Sequence, residues 1–404
     1  MKILLAANSY LPSWGGIERY LSQLGRHLHT SGHDVSVFCR KWSDDLPSTE
    51  LMDNIRVIRH SAPNLPFYLF ALRPFSSEMT CLASARLLRH LNPDLVICRT
   101  PGYAQGIRRV LSKAKIVYVL PTIEAIERKF DIAEGNAPIL DRFIDLIMNP
   151  VNDYQERRAL QSADSLVAFS ENAAQLSSSQ HGFDSGKYQI IPPGVDFKFF
   201  NSHCGKSPAD YSPVRDDSKK LIMFAGRLCN VKGPDISLEI FHRLLKRHKT
   251  IAANCHLLFV GDGPMKNELI RRTDEMNLSG QVFFAGKRDD INRLYPWADL
   301  LLHTSRFETF GHVLLESMSC GTPCLSFRRR IPDFQVASEE IIQHGENGYL
   351  ANGWDPDDVA DTLAMALSDP EKLKETGLKA AEYIQKKYSW QRHIDELLKT
   401  VENI

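Results

Sequence analysis

Short apolar runs alternate along the chain with longer stretches in which apolar residues recur every three or four positions. Residues 3–7, 35–39, 95–98, 116–120 and 166–169 are near-continuous apolar runs. That pattern predicts strands covered on both faces, as in a parallel sheet. Between the first two runs, Ile17, Tyr20, Leu21, Leu24 and Leu28 fall on one helical face, and Gly32 is placed to stop the helix. The grammar is strand–helix–strand, so an open, doubly wound sheet is expected.

The grammar then stops and restarts. Residues 201–220 are polar and contain Gly205, Pro208 and Pro213, which reads as a linker. A second series of apolar runs follows at 221–225, 257–260, 282–285, 300–303 and 323–327. The expected architecture is α/β with two Rossmann-like domains facing a cleft. The first spans 1–195, a linker 196–219, and the second 220–387, with 388–404 as a last helix returning to the first domain. Ligands bind such sheets at the carboxyl ends of their strands.

Composition narrows the function. The chain has 404 residues, enough for two cores, with 43% apolar and 24% charged residues and a formal net charge of zero. Nothing in that balance points to a nucleic-acid partner. The eight cysteines are scattered. Cys320 and Cys324 lack the further ligands of a zinc set, so reduced, buried thiols and a cytoplasmic setting are expected. No apolar run is long enough to span a bilayer. Residues 40–129 hold 14 Lys/Arg against 8 Asp/Glu, and within them lies the apolar stretch 65–70. Phe67, Tyr68 and Phe70, beside cations such as Arg73, are a candidate contact with an anionic membrane surface, which would make the protein peripheral on its inner face. The bland alternative packs these aromatics inside the first domain.

The candidate chemistry sits after predicted strands. Gly226-Arg227 and Lys232-Gly233 follow 221–225, and their two cations suit the negative charge of a departing diphosphate. Glu308 lies in the loop after 300–303. Phe310 and Gly311 precede a predicted helix, whose free N–H groups would favour an anion. Glu316 lies a turn inside that helix among Leu314, Leu315 and Met318, where a carboxylate needs a partner. Gly15 and Gly16 occupy the first strand-to-helix turn, a position that serves equally a tight turn or a phosphate. Histidines do not cluster at ligand spacing, and Asp355-Pro356-Asp357 reads as a helix start, so no metal site is expected.

In this order the motifs resemble those of the family-four glycosyltransferases, retaining enzymes of the B-type fold. The similarity runs through Gly15-Gly16-Ile17-Glu18, Pro193-Gly194-Val195-Asp196, Gly226-Arg227, Lys232-Gly233, Gly261-Asp262-Gly263-Pro264, Ala298-Asp299, Glu308 through Glu316, Gly321-Thr322-Pro323 and Asn347-Gly348. The resemblance implies that Arg227 and Lys232 bind the donor diphosphate and that Glu308 meets the donor sugar beside the Phe310-Gly311 backbone. It further implies that Glu316 binds the ribose, that Gly16 approaches the phosphate, and that Lys287 and Arg288 lie near the base. The family works without a metal, and no cofactor is implied beyond the nucleotide sugar itself.

Two departures stand out. Many members carry a histidine after the strand matching 116–120. Here Pro121-Thr122-Ile123-Glu124 follows, which makes Glu124 a candidate for that space. The glycine-rich loop before the family's sugar-facing glutamate is replaced by Arg328-Arg329-Arg330-Ile331-Pro332, leading to Glu339 and Glu340, either of which could hold that position. The expected function is hexosyl transfer from a UDP- or GDP-linked sugar to a glycan or lipid-linked acceptor in cell-surface polysaccharide synthesis. The alternatives are a nucleotide-sugar epimerase of the same fold and a non-catalytic sugar-nucleotide binder.

Overall fold

A computed structural model describes residues 1–13, 15–61, 75–121, 123, 126–128, 130, 139–201 and 219–402, with backbone only for 139–147. The stretch 65–70 and Glu124 lie outside the described residues. The chain divides into two compact units. One comprises Met1–Ala125, Gly135–Pro193 and Trp390–Ile404; the other Ile126–Glu134 and Gly194–Ser389.

The first unit is built on β1 (Lys2–Ala7), β2 (Asp34–Arg40), β3 (Thr49–Met52), β4 (Ile55–His60), β5 (Leu95–Cys98), β6 (Lys115–Val119), β7 (Ser165–Ala168) and β8 (Tyr188–Ile190). They form one sheet in the order β3-β4-β2-β1-β5-β6-β7-β8. All pairs are parallel except β3 on β4, and Ile3 sits opposite both Val35 and Leu95. The central strands β1 and β5 are almost wholly buried, which is why their apolar runs are unbroken. β3 and β4 escape the sequence pattern because charged residues interrupt them. Arg59 of β4 is buried, where it pairs with Glu50 of β3 and donates to the Leu11 carbonyl at 2.6 Å.

The first helix, Gly16–Thr30, ends as its sequence predicts. Gly32 adopts a φ of 86°, and its N–H and that of His33 close onto the carbonyls of His29 and Leu28 at 2.9 and 3.1 Å. This left-handed cap favours glycine. The last helix, Trp390–Glu402, is strongly amphipathic and belongs to this unit. His393 bonds the Tyr20 hydroxyl and the Pro192 carbonyl, both at 2.8 Å, and Lys115 donates to the Val401 carbonyl at 2.7 Å.

The second unit carries β9 (Lys220–Ala225), β10 (Cys255–Val260), β11 (Val282–Gly286), β12 (Leu300–His303), β13 (Phe307–Glu308), β14 (Cys324–Ser326), β15 (Gln335–Val336) and β16 (Tyr349–Leu350). Six of them form a parallel sheet in the order β11-β10-β9-β12-β14-β16, and β13 and β15 make a separate parallel ribbon. Leu257, Phe259, Ile222, Leu300 and Leu302 lie in one core with Leu238, Phe241 and Leu244 of the Pro234–Arg247 helix. Residues 196–219, expected as a linker, begin with a helix, Phe197–Asn201. Phe200 on it is buried against Tyr295, and its carbonyl accepts from Cys320 Sγ. Among the described residues no helix is long and apolar enough to cross a membrane.

Candidate active site

The loop after β9 is shaped by close backbone crossings. Gly226 N–H bonds the Val260 carbonyl at 3.0 Å. A Cβ on Gly261, whose φ is 141°, would stand 1.9 Å from the Gly226 carbonyl oxygen, so only glycine fits there. Farther along, Leu228 N–H reaches the Asp262 carbonyl at 2.9 Å. Arg306 grips the same loop from the other side. It donates to the Asn230 carbonyl at 2.7 Å and forks onto Asp235 at 2.9 and 2.6 Å. Gly233 packs against Thr304, whose hydroxyl donates to the Gly233 carbonyl at 2.7 Å. Lys232 is thus held on a braced turn rather than a free loop.

Lys232 Nζ donates to Glu308 Oε2. The lysine reaches from the β9 loop, and the carboxylate from the ribbon strand β13, so the two sequence candidates meet. Burial alone would push each toward neutrality, but their mutual attraction wins. The Lys232 ammonium is raised above its ordinary value and the Glu308 carboxyl is held below its own. Both border a cavity at the carboxyl end of the sheet, with Phe224, Gly226, His303 and Ser305 among its other walls.

Arg227 points a half-exposed guanidinium from the same loop. Its Nη2 donates to Glu127 Oε1 at 2.9 Å and its Nε to Cys229 Sγ at 3.2 Å. Glu127 was not among the sequence candidates. Its segment precedes the second sheet by about ninety residues, yet belongs to the second unit. Asn230 Nδ2 donates to the Phe130 carbonyl, and the Phe130 ring stacks on Phe307. Local sequence carries no signal for this approach; only the absent family histidine marked the region.

Glu316 lies in the His312–Ser319 helix and is buried. One of its partners is Tyr295, whose hydroxyl donates to Oε2 at 3.0 Å. Gly311, with φ 100°, begins that helix, and Phe310 is buried, which leaves its backbone rather than its ring to meet a ligand. Lys287 is exposed just past β11, and Arg288 forks onto Asp290 with both contacts at 2.7 Å. Glu339 is committed to the arginine loop, accepting from Arg328 Nη1 at 3.1 Å and from the Arg329 N–H at 2.9 Å. Glu340, beside it, is half-buried.

Gly15 and Gly16 belong to the first unit. A Cβ on Gly15 would meet the Glu18 carboxylate at 2.5 Å, whereas Gly16 faces open space. Glu18 is buried and accepts from the Ser9 hydroxyl. Among the described residues no three His, Cys, Asp or Glu side chains gather as metal ligands.

The family model for glycosyl transferases group 1 matches residues 210–383, and that for glycosyltransferase family 4 matches residues 14–199. N-acetyl-alpha-D-glucosaminyl L-malate synthase of Bacillus anthracis is 26% identical over 98% of this chain and 96% of its own. D-inositol 3-phosphate glycosyltransferase of Mycolicibacterium smegmatis is 26% identical over 95% of this chain and 85% of its own. The fold is shared with sucrose-phosphate synthase from Thermosynechococcus elongatus, with a TM-score of 0.77 at 19% identity over 100% and 98% of the two chains. It is shared also with Anabaena HepE solved with UDP and glucose, with a TM-score of 0.71 at 20% identity over the whole of both chains.

Proposed function

Because the chain belongs to the family-four glycosyltransferases of the B-type fold, we propose that it moves a hexosyl unit from a UDP- or GDP-linked sugar with retention and without a metal. The observation that carries this reading is the pairing of Lys232 with Glu308 at one cavity at the sheet's carboxyl edge, with Arg227 on the same loop as Lys232. In the donor complex Lys232 and Arg227 turn to the diphosphate and neutralise the charge that builds as the bond from C1 to the phosphate oxygen breaks. Glu308 then accepts hydrogen bonds from the sugar hydroxyls, each of its oxygens having two lone pairs for the purpose. Glu316, already fixed by Tyr295, accepts from the ribose. The acceptor oxygen bonds C1 on the face that the phosphate leaves, and its proton passes to the departing phosphate.

The acceptor is a glycan or lipid-linked molecule, met at an anionic membrane surface on the cytoplasmic side through Phe67, Tyr68 and Phe70. A second reading is a small anionic acceptor. Two relatives are named for L-malate and D-inositol 3-phosphate, which supports it. The deciding experiment is a panel of UDP- and GDP-linked hexoses assayed for binding and slow hydrolysis, followed by acceptors of both kinds. No binding or turnover with any donor would refute the reading.

A further inference from the structure

His303 ends β12 and is buried, 5% exposed. Its Nδ1 lies 2.9 Å from Ser326 Oγ, which in turn lies 2.7 Å from Ser338 Oγ. Ser326 is on β14, and Ser338 opens the short Ser338–Ile341 helix that carries Glu339 and Glu340. The other ring nitrogen, Nε2, is buried and has no hydrogen-bond partner among the described residues. Such an orphan is uncommon in folded proteins and destabilises the state that contains it. His303 borders the same cavity as Lys232 and Glu308. Its ring is close enough to feel both, the carboxylate favouring its charged form and the ammonium opposing it.

We infer that His303 is a positioning residue for Glu308, its Nε2–H taking over the carboxylate when Lys232 leaves for the diphosphate. This rests on the proposed donor reading of the site. In the free protein, Glu308 has its cation, and Nε2 has no hydrogen-bond partner among the described residues. In the donor complex, Lys232 is drawn to the phosphates, and a half-buried carboxylate loses its strongest partner. With its cation gone, Glu308 would swing or take up a proton more readily, and in either case would hold the sugar poorly. The imidazole repairs this at the right moment. Ser326 can donate to Nδ1, being itself supplied by Ser338, and that tautomer presents Nε2–H to the cavity. Burial holds the ring neutral, so the hydrogen bond adds no charge beside the diphosphate cations. The serine relay also ties the His303 ring to the start of the helix that carries Glu339 and Glu340.

The test compares His303→Leu with His303→Gln, whose amide can still donate. The probes are the most rapidly hydrolysed donor among UDP-glucose, UDP-N-acetylglucosamine and GDP-mannose, and its free nucleoside diphosphate. His303→Leu should lower kcat roughly tenfold or more while leaving the nucleoside diphosphate Kd within about twofold, and His303→Gln should recover part of the loss. In the wild type, the Nε2 resonance of 15N-labelled His303 should shift with the sugar nucleotide far more than with the nucleoside diphosphate. Wild-type kcat in His303→Leu overturns the inference. So does equal loss of kcat and of diphosphate binding with no rescue by glutamine, which marks a residue that only supports the fold. If the wild type binds none of the probes, the donor reading itself falls, a result distinct from either of these.

Discussion

Arg227 Nη2 and Glu127 Oε1 stand 2.9 Å apart, although one hundred residues separate them in the chain. Lys232 is likewise held by Glu308. Both cations assigned to the donor diphosphate are therefore occupied by carboxylates in the free protein, and the donor must displace them. Glu127→Gln removes one competitor. A half-exposed pair of this kind contributes about 0.2–1 kcal/mol. Calorimetry should accordingly show nucleoside diphosphate binding tightened by up to about fivefold. Weaker binding would mean that Glu127 orients Arg227 for the phosphate instead of competing with it.

Arg227→Ala and Lys232→Ala should each lower kcat/KM by about 10²-fold or more. Their effects on stability should differ. Arg227 is half-exposed, so its loss leaves the melting temperature nearly unchanged. Lys232→Ala leaves Glu308 half-buried without its cation and should lower the melting temperature, while Lys232→Ala with Glu308→Gln should restore much of it. A wild-type rate in either single variant contradicts the diphosphate assignment.

The two glutamates should separate by role. Glu308→Gln should impair transfer more than it weakens binding of the nucleoside diphosphate. Glu316→Gln should weaken that binding by about 1–3 kcal/mol. The Tyr295 hydroxyl can still donate to the amide oxygen of the variant, so the fold should survive. Titration of both variants with the same diphosphate tests the pair, and unaltered binding by Glu316→Gln rules out a ribose contact.

Stability should fall in mild acid. Burial holds His60, His303 and His393 each down to about 4, against an ordinary value near 6.5. Above about 6.5 these rings are neutral in both folded and unfolded chains and cause no pH dependence. Between 6.5 and 4 the unfolded chain binds protons that the native rings refuse, so native stability drops with pH and levels off below 4. Scanning calorimetry from pH 7 to 4 should record the decline. His393→Gln should flatten it, while lowering the melting temperature at pH 7 through loss of the Tyr20 and Pro192 bonds.

The membrane proposal rests on residues 65–70 and the neighbouring cations. Sedimentation with anionic liposomes should bring the protein down at low salt, release it as salt rises, and fail for Phe67→Ser with Phe70→Ser in a folded protein. A wild type that ignores such liposomes excludes direct docking.

Much of this molecule could be read along the chain. The apolar runs at 3–7, 35–39, 221–225 and 257–260 became β1, β2, β9 and β10, because strands buried on both faces must be apolar throughout. Gly32 marked its helix end through the conformation it adopts. Arg227, Lys232 and Glu308 could be named as candidates because they follow apolar runs, and Glu316 because a carboxylate among apolar residues needs a partner. Tertiary structure decided the partners. That Lys232 meets Glu308, that Tyr295 satisfies Glu316, that Glu127 reaches Arg227, and that His303 keeps an unused nitrogen all depend on approaches between segments far apart in sequence. Periodicity records which face of an element is buried. It holds no record of which distant side chain arrives there, and for a buried charge that arrival sets both the ionisation and the chemistry.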